Sequence, residues 1–180
     1  MRLRWFVVIG LLAAGVLVAT GLRDREPLRS EYCVAKVGDV RSQIDLEQGR
    51  WASLMAAIAQ ERGLSPRATT IAIATAFQES KIHNIDYGDR DSVGLFQQRP
   101  SQGWGSVEQI MDPHYSIGRF YKALAKVKGF ESMEITEAAQ KVQRSGFPGA
   151  YAQHEADSRA LASALRGYSP ASFTCQINPR

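Results

Sequence analysis

The chain has 180 residues, enough for one domain with a real core, and its composition is ordinary for a globular protein at 44% hydrophobic and 22% charged. The net charge of +4 belongs mostly to the N-terminus: residues 1–29 hold five arginines against Asp24 and Glu26, which leaves 17 basic and 16 acidic residues in the rest. A near-neutral body lacks the basic footprint of a nucleic-acid binder, so the pI of about 9.2 argues for no nucleic-acid partner.

In chain order, residues 1–4 form a basic N-terminus with Arg2 and Arg4. Trp5 to Leu22 is an uncharged, mostly apolar stretch of 18 residues, just long enough to span a bilayer and longer than the usual apolar region of a signal peptide. No good small-x-small cleavage site follows it. The expectation is a transmembrane signal anchor at 5–22, with a cleaved signal peptide or a buried core helix as alternatives. With the N-terminus inside, the body lies outside the cytoplasm on a single-pass membrane protein, or is secreted if the segment is cleaved. Residues 23–30 read as a charged, solvated linker, and residues 31–180 as one domain.

Cys33 and Cys175 bracket almost all of that domain. In an oxidising compartment they can join as a disulfide, which would add roughly 4–5 kcal/mol in the chain-entropy picture. Two unrelated buried thiols are the alternative. Neither has a neighbouring pattern for thiol catalysis.

The body reads as mainly α, or α+β. Asp45 with Gln48 is a capping box, and Leu46, Trp51, Leu54, Met55 and Ile58 give an apolar face that stops at Gly63. Ser65 and Pro66 open a second helix, whose small, tightly spaced apolar residues suit a central buried position. Glu79 sits near its end. Residues 82–105, rich in glycine, read as loops with a possible short hairpin. Asp112-Pro113 starts another helix, Thr136 caps one that ends near Gly146, and Gly149 to Arg166 is the last, followed by a tail that carries Cys175.

The chemistry centres on Glu79. A helix C-terminus disfavours negative charge and an apolar surround disfavours the ionised form, so both raise a carboxyl pKa toward the range of a general acid. The bland reading is a glutamate hydrogen-bonded to the following loop. Gln78-Glu79-Ser80 is followed by Gly94-Leu95-Phe96-Gln97-Gln98, a glycine-led turn carrying amides that can donate to and accept from an N-acetyl group.

Ala76-Phe77-Gln78-Glu79-Ser80 with Gly94-Leu95-Phe96-Gln97 resembles the first two motifs of lytic transglycosylases with a lysozyme-like fold. The longer run from Gly94 to Gly105 resembles lysozyme-like modules of actinobacterial cell-wall proteins. The likeness covers roughly residues 45–165. It implies a lysozyme-like helical domain around a central helix, peptidoglycan glycan strands as substrate, and Glu79 as sole general acid and base. In that family the muramyl 6-hydroxyl attacks and a 1,6-anhydro end forms, so no second carboxylate is required, unlike the two-carboxylate hydrolases. Gln97 aligns with the family's binding glutamine. The third family motif, Ala-Tyr-Asn-Ala-Gly, is absent. Its place falls at residues 138–146, where the tyrosine is missing and Gln143 or Tyr151 is the candidate substitute.

Asp86, Asp89 and Asp91 cluster before Gly94. One of them facing Glu79 would allow hydrolysis by water, but a solvated turn is the better reading. Trp104 suits either stacking on a sugar or packing, and Gln98 either sugar binding or structure. Trp51 suits the core. Arg99 can pair with a substrate carboxylate or remain solvated. His83, His114 and His154 fit no metal spacing, so neither metal nor cofactor is expected. Two functions remain: cleavage of peptidoglycan strands, or a non-catalytic glycan-binding or scaffolding module of a cell-wall complex with the same fold. Protein partners are not legible in the sequence.

Overall fold

The computed structural model describes residues 30–144, 149–168 and 170–178. The expected basic N-terminus, the membrane segment at 5–22 and the linker up to residue 29 lie outside them. Among the described residues no helix is long and apolar enough to cross a membrane.

The domain combines six helices with a three-stranded sheet, an α+β arrangement. Strands β1 (Tyr32–Val37) and β2 (Val40–Ile44) form a hairpin whose two-residue turn places Gly38 at φ +56°. Strand β3 (Ala171–Gln176) pairs antiparallel with the other edge of β1, giving the order β2-β1-β3. Cys33 and Cys175 stand directly opposite in that register, with Cα atoms 4.0 Å apart, and form the disulfide. The tail that carries Cys175 is therefore a strand of the sheet. β3 is a strand because of a partner far away in the chain, which local periodicity does not reveal.

Helix α1 (Leu46–Glu61) begins with the expected capping box, in which Asp45 accepts from the Gln48 N–H at 2.8 Å and Gln48 Oε1 accepts from the Asp45 N–H at 2.9 Å. Helix α2 (Pro66–Ser80) starts at the Ser65 cap and Pro66. Alanines and threonines make most of its surface, so neighbours approach closely. It packs against α1, α4, α5 and α6, and ten of its fifteen residues are buried. Two of its threonines satisfy themselves on the helix, Thr75 Oγ1 donating to Ile71 O at 2.7 Å and Thr70 Oγ1 to Pro66 O at 3.1 Å.

Helix α3 (Val107–Met111) has its own capping box, Ser106 with Gln109, which sequence reading did not single out. Helix α4 (Pro113–Leu124) starts as expected, with Asp112 accepting from the His114 N–H. Helix α5 (Ile135–Gln143) starts two residues earlier than expected, with Glu134 at the cap and Thr136 inside the first turn, and it ends at Arg144 in a left-handed conformation. Helix α6 (Glu155–Leu165) starts later than expected, because Ala152–His154 make a 3-10 turn that follows the buried Tyr151.

Candidate active site

The site is assembled at the C-terminal end of α2. Lys81 and Ile82 both adopt left-handed backbone, at φ 56° and 57°, and the Ile82 N–H returns to Ala76 O at 3.0 Å to close the helix. A buried β-branched residue in this region carries strain of roughly 1–3 kcal/mol. Gln97 (φ 47°) and Arg144 (φ 54°) are left-handed too, so four of the five such non-glycine residues among the described residues lie directly after the glutamate motif, in the glutamine turn or at the end of α5.

Ser80 connects the two sequence motifs. Its hydroxyl, buried, lies 2.8 Å from Leu95 O and 3.2 Å from Ala76 O. The 93–98 segment is a tight turn closed by reciprocal backbone bonds between Val93 and Gln98, each 3.0 Å. Gly94 sits at φ +78°, and a Cβ there would fall 3.1 Å from Ile110 O, which explains the glycine. Phe96 anchors the turn to α4 by stacking on Phe120, with ring centroids 4.4 Å apart.

Glu79 is half-buried. Tyr151 Oη donates to its Oε1 at 2.8 Å, and the Gln143 amide donates to the same carboxyl. Gln143 Nε2 also donates to Phe96 O at 2.7 Å, which holds α5 against the turn. Burial raises the Glu79 pKa above the ordinary carboxylate value, outweighing the two donors that favour the ionised form. The carboxyl is thus held by two named donors in an environment that raises its pKa. Behind it, His154 stacks on Phe77 at 5.4 Å and its Nε2 lies 3.2 Å from Gln78 Oε1. Burial and the charge of Lys81 lower its pKa, which favours the neutral imidazole.

Of the residues singled out in the sequence, Glu79, Gln143 and Tyr151 meet. Trp104, half-buried, shares with Gln143 the lining of an open cleft of about 760 Å³ between the 102–104 segment, α4 and α5. Gln97 is half-buried and turned onto its own loop: its Nε2 donates to Tyr87 O at 3.2 Å and Gly94 O at 3.3 Å. A Cβ at Gly88 would overlap its side-chain oxygen. Gln98 is 1% exposed and donates to Ser116 O inside the domain, which suits the structural one of its two expected roles.

Asp91 accepts from Arg99 Nε at 2.6 Å and from the Ser101 N–H at 2.8 Å, which holds its carboxyl well below the usual range. Arg99 is therefore committed to Asp91, and the pair braces the loop. Asp86 and Asp89 are exposed, and Asp89 lies 3.8 Å from Arg90. Trp51 packs against the core, with Arg50 stacked on its ring.

The cations of the cleft, Arg119 and Lys122 on α4 and Lys141 on α5 among them, belong to none of the motifs named above. Their helical spacing was the available signal. No protein-family model matches the chain, and no curated protein matches it significantly.

Proposed function

We propose that the domain cleaves peptidoglycan glycan strands in the manner of a lytic transglycosylase, with Glu79 as general acid and base. The observation that carries this reading is a carboxyl whose pKa burial raises above the ordinary carboxylate value, bonded at 2.8 Å to the Tyr151 hydroxyl and linked through Gln143 to an open cleft. Tyr151 supplies a tyrosine at the acid from a different place in the chain than the family motif.

In the proposed reaction Glu79 gives its proton to the glycosidic oxygen as the bond from C1 breaks. The resulting carboxylate, stabilised by Tyr151 and Gln143, then takes the proton of the muramyl 6-hydroxyl as that oxygen bonds to C1. The acid is regenerated and no water is consumed. The Cys33–Cys175 bond suits an oxidising compartment outside the cytoplasm, where the substrate lies.

One observation favours the scaffolding form of the alternative: the Gln97 Nε2 already donates to the carbonyls of Tyr87 and Gly94, which leaves less of the amide for an N-acetyl group. Digestion of purified peptidoglycan with mass analysis of the released ends decides between them. Wild-type protein should release muropeptides and Glu79→Gln should release none. Retention of strands without release by wild type would leave the binding module.

A further inference from the structure

The cleft beside Glu79 is strongly and one-sidedly charged. Arg119, Lys122, Lys126, Lys141 and Arg144 line it, and none of the acidic residues among the described residues does. The arrangement is built by helical spacing: Arg119, Lys122 and Lys126 fall at i, i+3 and i+7 along α4 and the turn after it, and Lys141 and Arg144 at i and i+3 at the end of α5. Two helices thus turn basic stripes toward one concavity.

Outside residues 1–29 the chain is nearly neutral, so five cations here leave the rest of that body acidic. Of these five cations only Lys141 has an acidic partner among the described residues, Glu137 at 3.4 Å. Arg119 Nη2 donates to Gly103 O at 2.8 Å, while its buried Nε has no hydrogen-bond partner among the described residues. Like charges gathered in a concavity repel one another, and an anionic ligand removes that cost. A solvated basic face would not need the half-buried Trp104 and Val127 between the cations, nor Gln143, which touches both cleft and Glu79.

We infer that this cleft binds a glycan strand through carboxylates repeated along it, so that the protein selects acidic strands over neutral ones. The inference rests on the function proposed above for its choice of glycan, but it concerns binding and stands without cleavage. The carboxylates are those of lactyl groups on alternate sugars or of peptide branches attached to them. Arg119 and the lysines meet either, and Trp104 offers a face for the sugar ring between them.

The test measures binding by calorimetry to Glu79→Gln protein, which keeps the probes intact. The probes are a peptide-free hexasaccharide of alternating muramic acid and glucosamine units, both N-acetylated, the same hexasaccharide with its carboxylates converted to amides, and the peptide-bearing strand. The acidic form should bind roughly tenfold or more tightly than the amidated form, and the difference should shrink as salt rises from about 0.05 to 0.5 M. Lys122→Glu with Lys126→Glu, both at exposed positions, should abolish the preference without lowering the melting temperature. A preference seen only with the peptide-bearing strand assigns the cations to branch carboxylates and also supports the inference. Equal binding of acidic and amidated forms, absence of binding to every strand, or tighter binding of a single-stranded oligonucleotide of equal charge would overturn it. Failure of wild type to release products from peptidoglycan, with this preference intact, would instead remove the proposed catalysis alone.

Discussion

Tyr151 Oη lies 2.8 Å from Glu79 Oε1, a contact that joins residues 72 apart in the chain at the end of the central helix. Tyr151 has no exposed surface, so its hydroxyl is a fixed donor. It favours the ionised carboxyl, against the burial that favours the protonated one.

Removal of that donor should move the titration of the acid. Tyr151→Phe keeps the packing and loses one hydrogen bond, so stability should fall by about 1 kcal/mol. Strand cleavage should fall roughly tenfold or more, as for loss of one preorganised donor. The alkaline limb of the pH–rate profile should shift upward, because the Glu79 pKa rises when a lowering contact is lost. A purely structural tyrosine would leave the profile in place.

Glu79 also predicts a pH dependence of stability. Its folded pKa lies above the unfolded value of 4.5, so the folded state binds more protons than the unfolded one between the two. Wild-type stability should therefore decline as pH rises through that window. Glu79→Gln lacks the titration, and its melting temperature should gain on wild type as pH rises above about 4.5 toward the raised folded value. Parallel melting curves across that range would contradict the raised pKa.

The disulfide joins β1 to β3 and closes a loop with a sequence separation of 142. Cys33→Ser with Cys175→Ser should cost up to about 4–5 kcal/mol, seen in chemical denaturation. Non-reducing peptide mapping of protein recovered from cells should find the two cysteines in one linked peptide pair. Free thiols at both positions would refute it.

Ser80→Ala should loosen the connection between the two motifs. The substitution leaves the buried Leu95 carbonyl without the hydroxyl 2.8 Å away, at a cost of about 1–3 kcal/mol. Hydrogen exchange should speed up in the 93–98 turn more than in α1.

The product ends separate transglycosylation from hydrolysis. With Glu79 acting alone, released strands should end in 1,6-anhydro rings, one water lighter than reducing ends. Asp86→Asn and Asp89→Asn, at exposed positions, should keep most activity. Asp91→Asn should chiefly destabilise the loop, since that carboxylate is bound to Arg99 and Ser101. A loss of about 100-fold in any of them without unfolding would point to a water-activating base.

The sequence by itself determined the local starts and stops. The Asp45–Gln48 box, the Ser65-Pro66 entry and the Asp112-Pro113 entry are recorded in adjacent residues, because caps are satisfied within one turn. The small-residue run of α2 announced a buried helix, and the glutamate and glutamine motifs announced one another by spacing. Tertiary structure decided the rest. The sheet needs β3 to meet β1 from the far end of the domain, and a half-exposed six-residue strand has no local signature strong enough to show it. The fates of the amides were equally non-local: Gln98 is consumed by Ser116, Gln97 by its own loop, and Gln143 by Phe96 and Glu79. Which donor reaches a buried carboxyl depends on how α5 and the 149–154 segment pack over the end of α2, and that packing is set by side-chain volumes throughout the core rather than by any one motif.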